Sequence, residues 1–104
     1  MSQFDLGGLG GLFAGLQQKV EDMKRWASET EVTGEAGGGL VKVTVTCDYQ
    51  VTLVQIAEEA TEDRELLEDL VRAAAGEALR LARDEAANRV KDLTGGLPLP
   101  PGLF

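Results

Sequence analysis

The stretch "VTGEAGGGLVKVTVT", residues 32–46, decides the fold. Gly37, Gly38 and Gly39 stand in a row, with Gly34 just before them, and a run follows in which Val41, Val43 and Val45 alternate with Lys42, Thr44 and Thr46. A glycine-rich phosphate loop leads from a strand into a helix and closes on Gly-Lys-Ser/Thr. Here the glycines lead from strand to strand and no such ending follows, so they are read as a hairpin turn in which glycine supplies positive φ. That reading excludes a nucleotide-hydrolysing loop at this place. The alternation that follows, continued by Cys47, is a strand with one face buried.

Working outward, Glu31–Ala36 is a short first strand, Asp48-Tyr49-Gln50 a turn, and Val51–Ile56 a third strand. Val54 and Ile56 are assigned to the inner face, which leaves Leu53 exposed or in an interface. On either side of this 31–57 sheet the period changes to that of a helix. In residues 9–29, Leu9, Leu12, Phe13, Leu16, Val20, Met23 and Ala27 form a narrow stripe close to a coiled-coil seam. Residues 1–8 are expected to be flexible, because glycines weaken the first turns. In residues 62–93, Leu66, Leu67, Leu70, Val71, Ala74 and Ala78 make a broad face that thins to Ala82, Ala86, Val90 and Leu93. A helix of that length spans about 45 Å. Its first half is expected to pack on the small sheet and its second half to project, seeking a helical partner with a similarly thin stripe. Gly95 and Gly96 end the helix, and the apolar tail "LPLPPGLF" (97–104) either packs back on the body or docks elsewhere. The whole, residues 1–104, is one α+β domain of order α-β-β-β-α with a three-stranded antiparallel sheet.

Composition narrows the chemistry. The chain has 104 residues, net charge −8, no histidine and a single cysteine. The commonest general base and metal ligand is therefore missing. Cys47 falls on the buried side of its strand, where a thiol is inert, and has no partner for an internal disulfide. No cofactor, metal site, small-molecule substrate or catalysis is expected, and a reducing cytoplasm fits. No secretory signal is visible, and the apolar stretch Leu6–Leu16 is too short to span a bilayer. The Gly7, Gly11 and Gly15 spacing of "GGLGGLFAG" matches membrane-helix dimers, but the polar helix after it speaks against a membrane. Glu58, Glu59, Glu62, Asp63, Glu65, Glu68 and Asp69 meet one base, Arg64, for a local charge of −6 that leaves −2 of the total −8 for the rest of the chain. The acids at Glu62 to Glu65 are read as a first-turn response to the helix dipole.

Several of these segments together resemble the YbaB/EbfC family of bacterial nucleoid-associated DNA-binding proteins. "EVTGEAGGGLVKVTVT" is similar to its central motif, "LGGLFAGLQQKVEDMKRW" to its amphipathic first helix and "VQIAEE" to its third strand. "DRELLEDLVRAAAGEALRLA" is similar to its second helix, and "LPLPPGLF" to its proline-glycine tail. The resemblance implies a tweezer-shaped homodimer with a shared sheet and paired helices as arms, binding double-stranded DNA through the arms, in the cytoplasm at the nucleoid. This chain departs from the family in having only Lys19, Lys24 and Arg25 on its first helix, and Thr52 and Leu53 where basic residues can stand. Both changes remove positive charge.

Phosphate contacts need cations on one connected surface. Arg80, Arg83, Arg89 and Lys91 on the second helix, joined by Lys19, Lys24 and Arg25 if the helices pair, are the candidate DNA-binding residues. The competing reading is of solvated bases in i,i+4 pairs, Arg80 with Asp84 and Arg89 with Glu85. Trp26 and Tyr49 do not make a single-strand platform, and Trp26 is expected at a helix or dimer contact. With no helix-turn-helix spacing, sequence preference is expected to be weak. A protein-interaction module docking partners through arms or tail is the alternative.

Overall fold

The computed structural model describes residues 6–93; the expected extended tail, residues 95–104, and the first five residues lie outside them. The order is α1 (Leu6–Glu29), β1 (Glu31–Ala36), β2 (Val41–Thr46), β3 (Val51–Ile56), a 3-10 turn (Glu58–Glu62) and α2 (Arg64–Leu93). The three strands form one antiparallel sheet in the order β1-β2-β3.

The glycine turn is formed as read. Gly37, Gly38 and Gly39 have φ of +67°, +69° and +94°, a region closed to most side chains. Gly34 has a different task, which its neighbours in sequence do not announce. It lies in the middle of β1, buried, where an added Cβ would fall 2.3 Å from the Ala78 amide nitrogen and 2.4 Å from the Ala74 carbonyl oxygen. The backbone of α2 rests directly on the strand there. Ala74, Ala78 and Ala82 are fully buried, so α2 meets the sheet along a ridge of small residues.

The core joins these alanines and Ala60 to Val41, Val43 and Val45, with Val32, Leu40, Leu67, Leu70 and Val71 packed around it. Its largest fully buried side chains are the three valines, a small core for a chain of this length. The central strand is covered on both faces, contrary to the simple alternation. Thr44 and Thr46 are buried too: Thr44 Oγ1 lies 2.8 Å from Thr33 Oγ1, and Thr46 Oγ1 accepts from the Gln50 amide at 3.0 Å.

β3 departs most from expectation. Val41 pairs with Ile56, Val43 with Val54 and Val45 with Val51, and a bulge at Thr44/Val45 absorbs Thr52. Val54 and Ile56 therefore share the face of the core valines, as assigned, but they are not buried: they stay 47% and 42% exposed. The reason is placement of the single helical layer. α2 packs on β1 and β2 and barely reaches β3, so the inner face of the third strand has no cover within the chain.

Helix boundaries shift for local reasons. α1 begins at Leu6, taking in residues 6–8, since each glycine costs only about 1 kcal/mol of helix propensity. α2 begins at Arg64 because Glu58–Glu62 coils separately and Asp63 turns extended (φ −131°, ψ 106°). Its carboxylate accepts the Leu66 amide at 3.2 Å, as an N-cap. Of the acids expected in the first turn, Glu65 is there, Asp63 caps it, and Glu62 closes the preceding turn.

α1 is joined to the body at its C-terminal end. The Cys47 amide donates to the carbonyls of Ala27 and Thr30, both at 2.9 Å. From Gly10 to Asp22 every residue is exposed, so this helix stands out as an arm, and the molecule extends 73 Å along its long axis. Past Ala82 no described residue of α2 is fully buried.

Candidate nucleic-acid interface

One of the candidate bases, Arg89, stands where the two helices approach. The Arg89 guanidinium lies 5.6 Å from the centre of the Trp26 ring, which brings the outer half of α2 to the root of the α1 arm. Trp26 is thus at a helix contact, as expected. Lys24 and Arg25 sit in the same turn of α1, and Lys19 stands further along the arm.

The bases differ in what occupies them. Lys19, Lys24 and Arg83 make no ion pair or hydrogen bond among the described residues. Arg25 meets Asp22 at 3.5 Å, across one exposed helical turn. Arg80 is held on two sides. Its Nη2 and Nε reach the two oxygens of Glu77 at 2.7 and 3.2 Å, and its Nη1 reaches Asp84 at 2.9 Å. Those hydrogen bonds from Arg80 hold the Glu77 carboxyl below the usual carboxylate range, helped by the arginine's charge and opposed by partial desolvation. Reciprocally, bonding to Glu77 raises the already high Arg80 pKa. The Arg80–Asp84 spacing seen in the sequence is therefore realised, and the fork on Glu77, three residues back, adds a second partner that the same spacing rule would have found. Arg89 does not pair with Glu85. It turns onto Trp26 instead, and its Nε is buried without a hydrogen-bond partner among the described residues. Lys91 is exposed in the last turn of α2.

Charge is uneven along the molecule. The acid-rich segment from Glu58 to Asp69 covers the 3-10 turn and the start of α2, and Arg80, Arg83, Arg89 and Lys91 stand in the helix's outer half. From Asp69 the helical rise gives about 16 Å to Arg80 and about 30 Å to Arg89. These are about two and about four Debye lengths, at about 8 Å each, at physiological ionic strength. The acid-rich segment is screened from that end, where Arg80, Arg83, Arg89 and Lys91 stand with Asp84, Glu85 and Asp92 for a local charge of +1 (4 − 3).

Elsewhere the chemistry is quiet. Cys47 is a buried free thiol, its pKa raised by burial and then by the charges of Glu85 and Asp48. Among the described residues no group of His, Cys, Asp and Glu could hold a metal ion, and no helix is long and apolar enough to cross a membrane.

A three-stranded antiparallel sheet backed by one helix, with a second helix standing off as an arm, defines a small α+β protein. The model of the YbaB/EbfC DNA-binding family matches residues 3–97, and the chain belongs to that family. A nucleoid-associated protein of Polynucleobacter necessarius subsp. necessarius (strain STIR1) is 46% identical over 100 residues, covering 93% of this chain and 94% of that one. The fold is shared with an uncharacterized protein, HP0035, of Helicobacter pylori, whose crystal structure superposes with a TM-score of 0.76 at 23% identity, over 88% of this chain and 99% of that one.

Proposed function

We propose that this protein is a non-enzymatic, nucleoid-associated protein that binds double-stranded DNA as a homodimer, with weak sequence specificity, through bases on its helical arms. Membership of a DNA-binding family carries the reading, and the name of the Polynucleobacter relative agrees with it. The acid-rich segment from Glu58 to Asp69 holds −6 of the net −8, and the arms themselves are close to neutral. Lys19, Lys24 and Arg83 are the readiest phosphate ligands, because they need not give up a partner. Arg25, Arg80 and Lys91 add to the same surface, Arg80 at the expense of its acidic partners.

Dimerisation is supported by what a single chain leaves bare. Leu12, Phe13, Leu16 and Val20 on α1 are 50–62% exposed, and Val51, Val54 and Ile56 present the uncovered inner face of β3. Isolated apolar side chains on a surface mean little, but a helical stripe and a strand face together mark an interface. A second copy covering both would complete the sheet's missing layer and double every base.

The test is titration of a labelled random-sequence duplex at several salt concentrations. Steep weakening with salt is expected, the log–log slope being about −0.9 per phosphate neutralised. Absence of binding at low salt overturns the reading and leaves a module that docks protein partners, which the acidic net charge would favour.

A further inference from the structure

Of the candidate bases, Arg89 is the one that is half-buried, the others being exposed. Its guanidinium lies over the Trp26 ring, and its Nε is buried. A phosphate ligand should hold its donors toward solvent, as the exposed Arg83 can. Arg89 joins the outer part of α2 to α1 at one place, the half-buried Trp26, where the arm leaves the body. On the other side of that root, the amide of Cys47 ties down the carbonyls of Ala27 and Thr30. Beyond Met23 toward the N-terminus, α1 has no buried or half-buried described residue. The direction of the arm is therefore set by a few contacts at its base.

We infer that Arg89 is a positioning residue: with Trp26 it forms a clasp that fixes the angle of the α1 arm, and so the placement of Lys19, Lys24 and Arg25, and it does not bind phosphate. The functional part of this inference rests on the DNA-binding reading; the clasp itself does not. A planar, weakly hydrated guanidinium suits an aromatic face, whereas a lysine ammonium is compact and strongly hydrated. Retention of charge alone should not preserve the clasp.

Trp26 is the only tryptophan of the chain, so intrinsic fluorescence reports on the clasp directly. Arg89→Lys and Arg89→Gln are expected to make Trp26 more accessible to acrylamide in the free protein. Both should weaken duplex binding several-fold to a similar degree, with the salt slope unchanged from wild type. Trp26→Leu should weaken binding comparably, and Trp26→Leu with Arg89→Gln no further, because the two act as one unit. The inference is overturned if quenching of Trp26 is the same in wild type and both Arg89 variants. It is equally overturned if Arg89→Lys binds normally while Arg89→Gln flattens the slope, the mark of a lost phosphate contact. Should wild-type protein not bind duplex at all, the DNA reading falls, and quenching in the free protein still decides the clasp.

Discussion

The single residue on which the packing turns is Gly34. Its role is separate from that of the turn glycines: they need positive φ, while Gly34 needs the absence of a side chain. A methyl group there would meet helix backbone on two sides, and backbone cannot rotate away. Gly34→Ala is expected to destabilise the protein by about 3 kcal/mol or more, the upper end of overpacking costs. Gly38→Ala, with open space around it, should cost about 1–2 kcal/mol from left-handed backbone alone. Chemical denaturation of the two variants side by side checks the order; equal losses would refute the close approach. At the same scale, Arg80 is a base restrained by its neighbours. Glu77 has its pKa lowered in the folded state, so its favourable bonding to Arg80 is present above the unfolded pKa and is lost as pH falls through the folded one. Glu77→Gln mimics that loss at neutral pH. It removes a negative charge and frees half of the arginine's fork. DNA affinity should rise several-fold, with the salt slope steepening by up to about 0.9 per arginine released. An affinity unchanged in a salt titration would mean that Arg80 faces away from the duplex.

Individual elements were legible in proportion to how local their causes are. The three strands, the glycine turn and both helices follow from period and turn chemistry, which neighbouring residues carry. The start of α2 was displaced because a 3-10 turn and a cap compete for the same acids, and the choice between them is made by Asp63 going extended. The ion pairs of the bases were legible only in part. Spacing of four predicts both Arg80–Asp84 and Arg89–Glu85, and only the first forms, because Trp26 comes from another helix and offers Arg89 a ring. The facing of β3 was legible and its burial was not, since register is a property of the strand pair whereas cover depends on where α2 lies. That difference is open to test. On a free surface, a Val54→Glu change would alter stability by no more than about 0.5 kcal/mol. At a covered interface it places an unpaired charge out of water, and should dissociate the proposed dimer or prevent its folding. Sedimentation equilibrium is expected to show two-chain mass for wild type and loss of that species for Val54→Glu. Gln55→Glu, exposed on the opposite face of the same strand, serves as the control for added charge.

At the scale of the whole molecule two electrostatic effects run in opposite directions, and together they separate assembly from DNA binding. Each chain carries −8, so joining two copies brings like charge together, and self-repulsion opposes the compact state. Added salt screens that repulsion. The surfaces proposed to meet are apolar, so salt does not weaken their attraction. Thermal stability of the free protein should therefore rise with salt, and should also rise with protein concentration, as mass action requires when folding is linked to association. DNA binding responds in the reverse sense, because each phosphate contact releases a counterion whose return salt favours. Over the same salt series, the unfolding midpoint is expected to climb while duplex affinity falls. The pairing of signs matters more than either trend. If affinity fell only because salt dissociated the dimer, the midpoint would fall with it and its concentration dependence would fade. If bases on the arms contact phosphate, the two curves diverge, and removing Lys19 and Lys24 together should flatten the affinity curve while leaving the midpoint curve in place.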